Sequence, residues 1–599
     1  MSQVEKPRQV DPITFEVVRR ALIATSNEMA LVVAKSAYST PVNEGRDFAG
    51  TVYDQAGRLV SQGEFDIPGL VGVTQLTVPE VIDSIGIENM EEGDVYMVND
   101  PYVASTHCND VHLVKPIFHS GDLVAFVASS AHWSDVGGVA PGSLNCWAQT
   151  FFEEGIRVPT ITIYKRGELN QDVMRVLLAN MRSSWERLGD FNAQVSALST
   201  GESRIHAIIN RHGLQTLTHT MSETQDHSER LIRAYLSEIP DGTYRAEDRV
   251  DQDLATGEPK VIRLELTITG DQAILDFRES DEAARSGINC TLSATTSAVF
   301  ISLASVMPPM PMNAGVMRPV DLLVTKGSLL WAQPPSAVSG LGATSMECVI
   351  GCVTRALSHA LPERGAATPF SILNAVFAGH DSRPGFGEEF INYSWGFGGL
   401  GGTKLRDGAS VVGSSYTAST QNIPCELQER RYPVLWERYM FLDDSGGPGM
   451  RRGGVGCDQL ISFPYQDATV SCIGNRERFG PPGVFGGKTG GRARLVLNPD
   501  AEGERNIGIF AVNEPVKKGE VLSFWSAGGG GYGDPLQREP ELVLEDVIDG
   551  FVSVEAARSN YGVVIREIDR RTLAFEVDGP ATRELRAQMR ELAEEVVPQ

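Results

Sequence analysis

The segment Asp94–His132 reads DVYMVNDPYVASTHCNDVHLVKPIFHSGDLVAFVASSAH, and its alternation of apolar and polar stretches decides the fold. DVYMV and LVAFVASS have the length and composition of buried strands. Each runs into a polar segment: NDPYVASTHCND after the first, AHWSDVGG after the second. The chain has 10 histidines, and His107, His112, His119 and His132 fall within 26 consecutive positions. If the two strands are neighbours, their polar ends bring His107, Asp110 and His132 together. Two neutral imidazoles and one carboxylate are a common ligand set for Zn²⁺, Mn²⁺ or Fe²⁺. A metal with an open position activates water or polarises a carbonyl. Asp47 in NEGRDFAG and Asp135 in HWSDVGG stand ready to complete the sphere, or to orient a histidine from behind. Surface or hydrogen-bonded histidines are the competing reading, and composition alone leaves both open.

Working outward, Asp11-Pro12 is a good helix start, a capping carboxylate before a proline preset for the first turn. ITFEVVRRALIATSNEMALVVAKSAYS follows with apolar residues at helical spacing. FAGTVYDQAGRLVSQG reads as a hairpin turning at Asp54–Gly57. Helices are expected in QDVMRVLLANMRSSWERLGDFNAQVSALSTGESRIHAIINRH and SERLIRAYLSEI, and short strands in VIRLELTITG and QAILDFRES. A helix is expected near Ala343–Leu361, and the tail from Thr582 reads as a solvated, charged helix. The fold class is α+β, with an N-terminal helix-and-sheet metal-binding part and a C-terminal β-rich, glycine-rich part. The expected domains are 1–240 (N-terminal α+β), 241–345 (β-rich) and 346–599 (glycine-rich α+β).

Bulk composition narrows the function. With 52 Lys and Arg against 77 Asp and Glu, the net charge of −25 disfavours nonspecific nucleic-acid or anionic-membrane binding. The opening MSQVEKPRQV lacks an apolar signal core, and AVFISLASVMPPMPM is too short and proline-broken to span a bilayer. Eight cysteines without a C-x-x-C pair do not make a disulfide scaffold. Cys348 and Cys352 read as buried helix thiols. A reduced cytoplasm is the expected setting.

Two glycine strings imitate phosphate loops. GFGGLG (Gly396–Gly401) is not followed by a helix, and GVFGGKT (Gly483–Thr489) has Pro482 where a P-loop has its first glycine. Without a helix N-terminus neither presents a phosphate site. Both are expected as turns in which glycine accepts a positive φ.

NDPYVASTHCNDVHLVKPIF, FVASSAHWSDVGGVAPGS, FFEEGIRVP, QERRYPVLWERYMFLDDSGGPGMRRGGVG and SAGGGGYGDP with VSVEAARSNYGVV resemble the hydantoinase B/oxoprolinase family, in the family's order. The resemblance runs from about Asp11 to Val563. It implies the metal-bearing B-type subunit of an ATP-dependent cyclic-amide hydrolase that opens a hydantoin, 5-oxoproline or lactam ring. ATP would be bound by a hydantoinase A-type partner in a hetero-oligomer such as (αβ)2. Two alternatives stand beside it: a subunit of an ATP-dependent ketone carboxylase, and a non-catalytic scaffold for the A-type subunit. Carried onto this chain, the metal positions fall on His107, Asp110 and His132, with Asp47 as an additional ligand and Zn, Mn or Fe as the metal. The family pattern near HIPVHLG is replaced here by FDIPGLVG, with Asp66 and Leu70 where histidines stand, which implies an atypical substrate.

In the hydrolase reading, phosphorylation on the partner activates a resonance-stabilised amide carbonyl, and this subunit delivers water to it. Asp135 or Asp47 is then the expected catalytic proton acceptor. Arg46, next to Asp47, is a candidate phosphate contact. Its bland alternative is a structural salt bridge, and Arg157 and Arg318 are similar cases. Cys108 reads as a packing residue.

Overall fold

The computed structural model describes residues 10–569, 572 and 574–596. The N-terminal MSQVEKPRQ stretch read for a leader lies outside them. The chain divides into two compact units: Met1–Thr243 with Glu265–Gly342 and Ser419–Ile423, and Tyr244–Leu264 with Ala343–Ala418 and Pro424–Gln599. Both mix helices with sheets, so the α+β class holds.

The first unit opens with helix α1 (Pro12–Ser36), whose first turn is capped by Asp11 accepting from the N–H groups of Ile13 and Thr14. Its buried residues Val18, Leu22, Met29 and Val33 recur at helical spacing and form one face of the core. We expect Asp11→Ala to destabilise this unit by about 1 kcal/mol, read from denaturant unfolding. A short helix α2 (Thr40–Asn43) precedes β1 (Phe48–Asp54) and β2 (Leu59–Gln62), the expected hairpin. Helix α3 (Pro68–Ile85), strands β3 (Val95–Val98), β4 (Asp110–His119), β5 (Asp122–His132), β6 (Ile161–Lys165) and β7 (Glu168–Leu169) follow. The strands form one antiparallel sheet in the order β2-β1-β5-β4-β3-β6-β7. Helices α4 (Gln171–Ala179), α5 (Ser184–His212) and α6 (Leu214–Leu236) complete the helical stretch expected from sequence.

Small residues let α1 and α5 approach the sheet closely. A Cβ at Gly50 would meet Met29 Cβ at 3.0 Å, and one at Gly201 would meet Met29 Sδ at 2.6 Å and Val127 at 3.0 Å. The segment expected as a separate β-rich part, 241–345, is divided between the two units. Its part from Glu265 onward stays with the first unit because α7 (Leu292–Val306) packs on α3. Ser297 Oγ donates to Gly69 O (2.8 Å), and Gly72 leaves room for the Ser297 side chain.

The second unit holds a four-stranded sheet (Glu389–Gly396, Leu373–His380, Ala468–Ile473, Glu514–Val516) and a five-stranded sheet (Leu435–Phe441, Cys457–Ser462, Val521–Trp525, Arg494–Leu497, Arg505–Asn506). Helix Ser345–Ala360 carries Cys348 and Cys352 as buried thiols, as expected. The charged tail is the helix Gly579–Val596.

The glycine strings require a correction. Gly396, Gly398, Gly399 and Gly401 are not in the left-handed region, and in the second string only Gly486 (φ 92°) and Phe485 (φ 52°) are. These glycines serve close packing of backbone on backbone. Gly529 N–H donates to Gly454 O (2.9 Å), Gly454 N–H to Leu400 O (2.8 Å), Gly402 N–H to Gly530 O (2.9 Å) and Gly530 N–H to Thr368 O (2.9 Å). A Cβ at Gly399, Gly454 or Gly529 would overlap the opposing main chain. As expected, no helix follows Gly401 before Cys425–Arg431, and Arg494–Leu497 after the second string is a strand.

A buried ion network pins the C-terminal helices of this unit. Arg538 donates to both oxygens of Asp407 (2.7 and 2.8 Å) and to Asp546 (2.7 Å), which also accepts from Arg452 (3.2 Å). Asp546→Ala leaves two buried guanidinium groups short of a partner, and we expect it to lower the unfolding free energy by about 3–5 kcal/mol. Chemical denaturation checks this. Among the described residues no helix is long and apolar enough to cross a membrane.

Candidate metal centre

The β4–β5 hairpin builds the site. Ser120 (φ 55°) and Gly121 (φ 89°) form a two-residue turn with both φ positive, the geometry that matches the twist of paired strands. The register shifts once, between Ile117 and Phe118, and Asp110 therefore pairs with His132. Without that bulge Asp110 would face Ala131, and every later side chain of the strand would change sides of the sheet. The convergence expected between the ends of β3 and β5 thus has a different cause. Those strands are separated by β4, and it is β4 itself that begins at Asp110.

His107, Asp110 and His132 each place one potential ligand atom within 4.8 Å of the other two. His132 Nδ1 lies 3.1 Å from Asp110 Oδ1, His107 Nε2 lies 3.8 Å from Asp110 Oδ2, and the two imidazoles meet edge-on with centroids 5.0 Å apart. Thr106 Oγ1 donates to Asp110 Oδ2 and fixes the carboxylate. The N–H of His132 donates to Asp47 O (3.1 Å), tying the start of β1 to the end of β5. Asp47 stands outside the mutual triad but close enough for His132 and Asp110 to act on its carboxyl.

Desolvation dominates the electrostatics. It pushes the Asp47 and Asp110 carboxyls up to about 6, and lowers His107 to about 4 and His132 below the ordinary imidazole range. Both imidazoles are therefore neutral near pH 7 and keep a lone pair. His107 Nδ1 is buried with no hydrogen-bond partner, an orphaned polar atom in a cluster of hard and borderline donors. The residues present fit a divalent cation.

The remaining histidines separate by role. His112 is fully buried between Ser130 Oγ (2.6 Å) and Ser105 Oγ (3.1 Å), and Ser105 Oγ also meets the carbonyls of His107 (3.1 Å) and Asp110 (2.8 Å). It thereby holds the turn that carries two of the three ligands. We expect His112→Ala to weaken divalent-metal binding about 10- to 100-fold by competition titration, since second-layer hydrogen bonds orient metal ligands. His119, at the far end of β4, lies near His206, with ring centroids 6.1 Å apart and planes tilted by 45°.

Asp135 is not part of the triad. Its carboxylate is buried and accepts from the N–H groups of Gly137, Gly142 and Arg182 (each 2.9 Å) and from Arg182 Nη1 (3.0 Å). It organises the loop leaving β5. Arg157 reaches Asp100 (3.6 Å) and lies over Phe151 (4.2 Å), and Arg318 pairs with Asp226 (2.7 Å) and Glu229 (2.9 Å). Both are structural cations. Arg46 makes no ion pair among the described residues; its guanidinium lies 5.7 Å from the Phe65 ring centroid. Cys108 is buried and its thiol is held well above the ordinary range by desolvation, as suits a packing residue. Asp66 is buried in the turn before α3, accepting from Gly63 N–H (2.7 Å), and Leu70 is core.

Sequence reasoning missed Arg187. This fully buried guanidinium donates to Ser134 Oγ (3.1 Å), Glu186 (3.2 Å) and Asp190 (3.1 Å), while Asp190 accepts the N–H groups of Tyr38 and Ser39. It links the start of α5 to the segment just beyond His132. In an amphipathic helix such an arginine is indistinguishable from a surface one until the fold is known.

The hydantoinase B/oxoprolinase family model matches residues 11–535. The chain belongs to this family. The caprolactamase subunit beta of Pseudomonas jessenii is 33% identical over 567 residues, covering 93% of this chain and 96% of that one. The crystal structure of the ATP-dependent caprolactamase from the same organism superposes with a TM-score of 0.88 at 32% identity, over 97% of this chain and 100% of that one. A nucleotide-free acetone carboxylase structure superposes with a TM-score of 0.89 at 20% identity, over 100% of this chain and 85% of that one, a likeness of fold.

Proposed function

We propose that this chain is the metal-bearing subunit of an ATP-dependent cyclic-amide hydrolase, acting with an ATP-binding A-type subunit in the cytoplasm. The observation that carries the reading is the buried His107–Asp110–His132 triad, in a chain that resembles a caprolactamase subunit along almost its whole length. The acetone carboxylase likeness extends to fold alone, so the hydrolase reading stands ahead of the carboxylase one.

His107 and His132 offer neutral nitrogens, and Thr106 aims the Asp110 carboxylate between them. A divalent ion held there supplies Lewis-acid activation of water or of the amide carbonyl. Asp47 adds a second carboxylate beside Asp110, as a further ligand or as the catalytic base. Its carboxyl, raised to about 6 by desolvation, is suited to accept a proton near neutral pH. Asp135 acts as a positioning residue by fixing the loop beyond His132.

The test is co-expression with an A-type subunit and measurement of ATP hydrolysis with caprolactam, 5-oxoproline, hydantoin and a ketone, with and without labelled bicarbonate. Ring-opened product formed in step with ATP hydrolysis supports the proposal. Label appearing in a new carboxylate assigns the chain to the carboxylases instead.

A further inference from the structure

Both main-chain groups of Asp47 are held. Its N–H donates to Pro41 O (3.0 Å) in α2, and its carbonyl accepts the N–H of His132 (3.1 Å). No hydrogen bond holds the Asp47 carboxylate among the described residues, so its place beside the His107–Asp110–His132 triad follows from where α2 sits. Helix α2 has no side-chain cap of its own. The N–H groups of Tyr38 and Ser39 in front of it donate instead to Asp190 Oδ1 (2.8 and 3.0 Å) on α5. Asp190 Oδ2 accepts from Arg187 Nη2 (3.1 Å), and the same nitrogen donates to Ser134 Oγ (3.1 Å), two residues beyond His132. The contacts close a ring that runs from His132 through Asp47, α2, Asp190, Arg187 and Ser134 back to His132.

Two observations show that α5 is shaped for this ring. Gly189 leaves room for the Tyr38 side chain, whose ring a Cβ would meet at 2.2 Å, and Tyr38 also lies 5.9 Å from Trp185. Arg187 is fully buried, yet one nitrogen makes all of its contacts, and Nε and Nη1 have no partner among the described residues. A buried cation so incompletely satisfied is weak evidence for stability, and fixing one arrangement is the best-attested use of such a group.

We infer that Arg187 is a positioning residue for the metal centre. It sets the separation of Asp47 from His132 by tying α2 and the end of β5 to a single nitrogen, acting through Asp190 and Ser134. The inference rests on the metal-centre reading and adds the residue that arranges it.

Cobalt(II) binding to the purified full-length chain tests this, with affinity read by chelator competition and coordination by the visible spectrum. Arg187→Met is expected to weaken Co²⁺ about 10- to 100-fold and to give the spectrum of Asp47→Asn. The double variant is expected to bind little worse than Asp47→Asn alone, because both substitutions remove the same contact. Arg187→Lys keeps a nitrogen with three donors and recovers most of the loss. Ser134→Ala opens the ring without unpairing a buried charge, and it shifts affinity and spectrum in the same direction even where Arg187→Met does not fold. Asp11→Ala, which weakens the same unit from the opposite end of α1, binds Co²⁺ as the natural chain does. A natural chain that takes up no Co²⁺ removes the metal centre and this inference with it. Co²⁺ bound equally by the natural chain and both ring variants, losses that add in full in the double variant, or an equal loss in Asp11→Ala each overturns the inference and leaves the metal centre standing.

Discussion

We expect purified His132→Ala protein to carry almost no divalent metal and the natural chain to carry about one ion. His132 closes the triad from β5, and its loss leaves two protein donors 3.8 Å apart, too few for a stable tetrahedral or octahedral site. ATP-coupled turnover should fall by more than about 100-fold, beyond the effect of disturbing an outer-layer residue. His107→Ala gives the same result from the other side of Asp110. The substitutions act on chemistry more than on folding. Either removes one buried imidazole and at most about 1–3 kcal/mol of hydrogen-bond and desolvation balance. Elemental analysis, with thermal unfolding run in parallel, checks both halves. The same substoichiometric metal in the natural chain and in both variants would favour a scaffold without a metal centre.

Gly529→Ala is expected to destabilise the second unit strongly. Its Cβ would overlap the carbonyl carbon and oxygen of Leu400 and press on Gly401 N. Every obstructing atom is main chain, so no rotamer change relieves the clash, and any shift of this segment also strains the hydrogen bond from Gly529 N–H to Gly454 O. We expect a loss of more than about 4 kcal/mol, or failure to accumulate as folded protein. Gly519→Ala is the control. Gly519 has φ 90° and nothing within 4 Å of its Cβ position, so only the backbone preference is lost, about 1–2 kcal/mol. Similar melting temperatures for the two variants would refute the close-packing account of the glycine-rich segments.

The contrast between these glycines shows what sequence alone conveys. Local signals were legible. The Asp11 cap, the α1 apolar stripe and the β1–β2 turn each rest on a few neighbouring residues, and all are observed. His107, Asp110 and His132 were legible as a group because a strand pattern brackets them. The strand that joins them was not: β4 opens in the polar stretch and includes Pro116, so it read as an apolar run behind the histidines. The bulge at Ile117–Phe118 that sets the register leaves no mark in composition. The glycine segments were misread because glycine is needed both for positive φ and for close approach, and only the opposing chain distinguishes these needs. Helix α3 escaped notice because it is apolar on most sides and contains Pro68 and Pro79. Arg187 also reaches Ser134 and His112 reaches Ser130, contacts across the fold that no local spacing announces.

Anomalous diffraction from crystals of the purified chain, at the absorption edge of the metal found by elemental analysis, tests the central claim most directly. The account predicts a single strong peak within coordination distance of His107, Asp110 and His132, with Asp47 nearby. A metal-replete crystal with no peak there, or with its peak elsewhere on the chain, would contradict it.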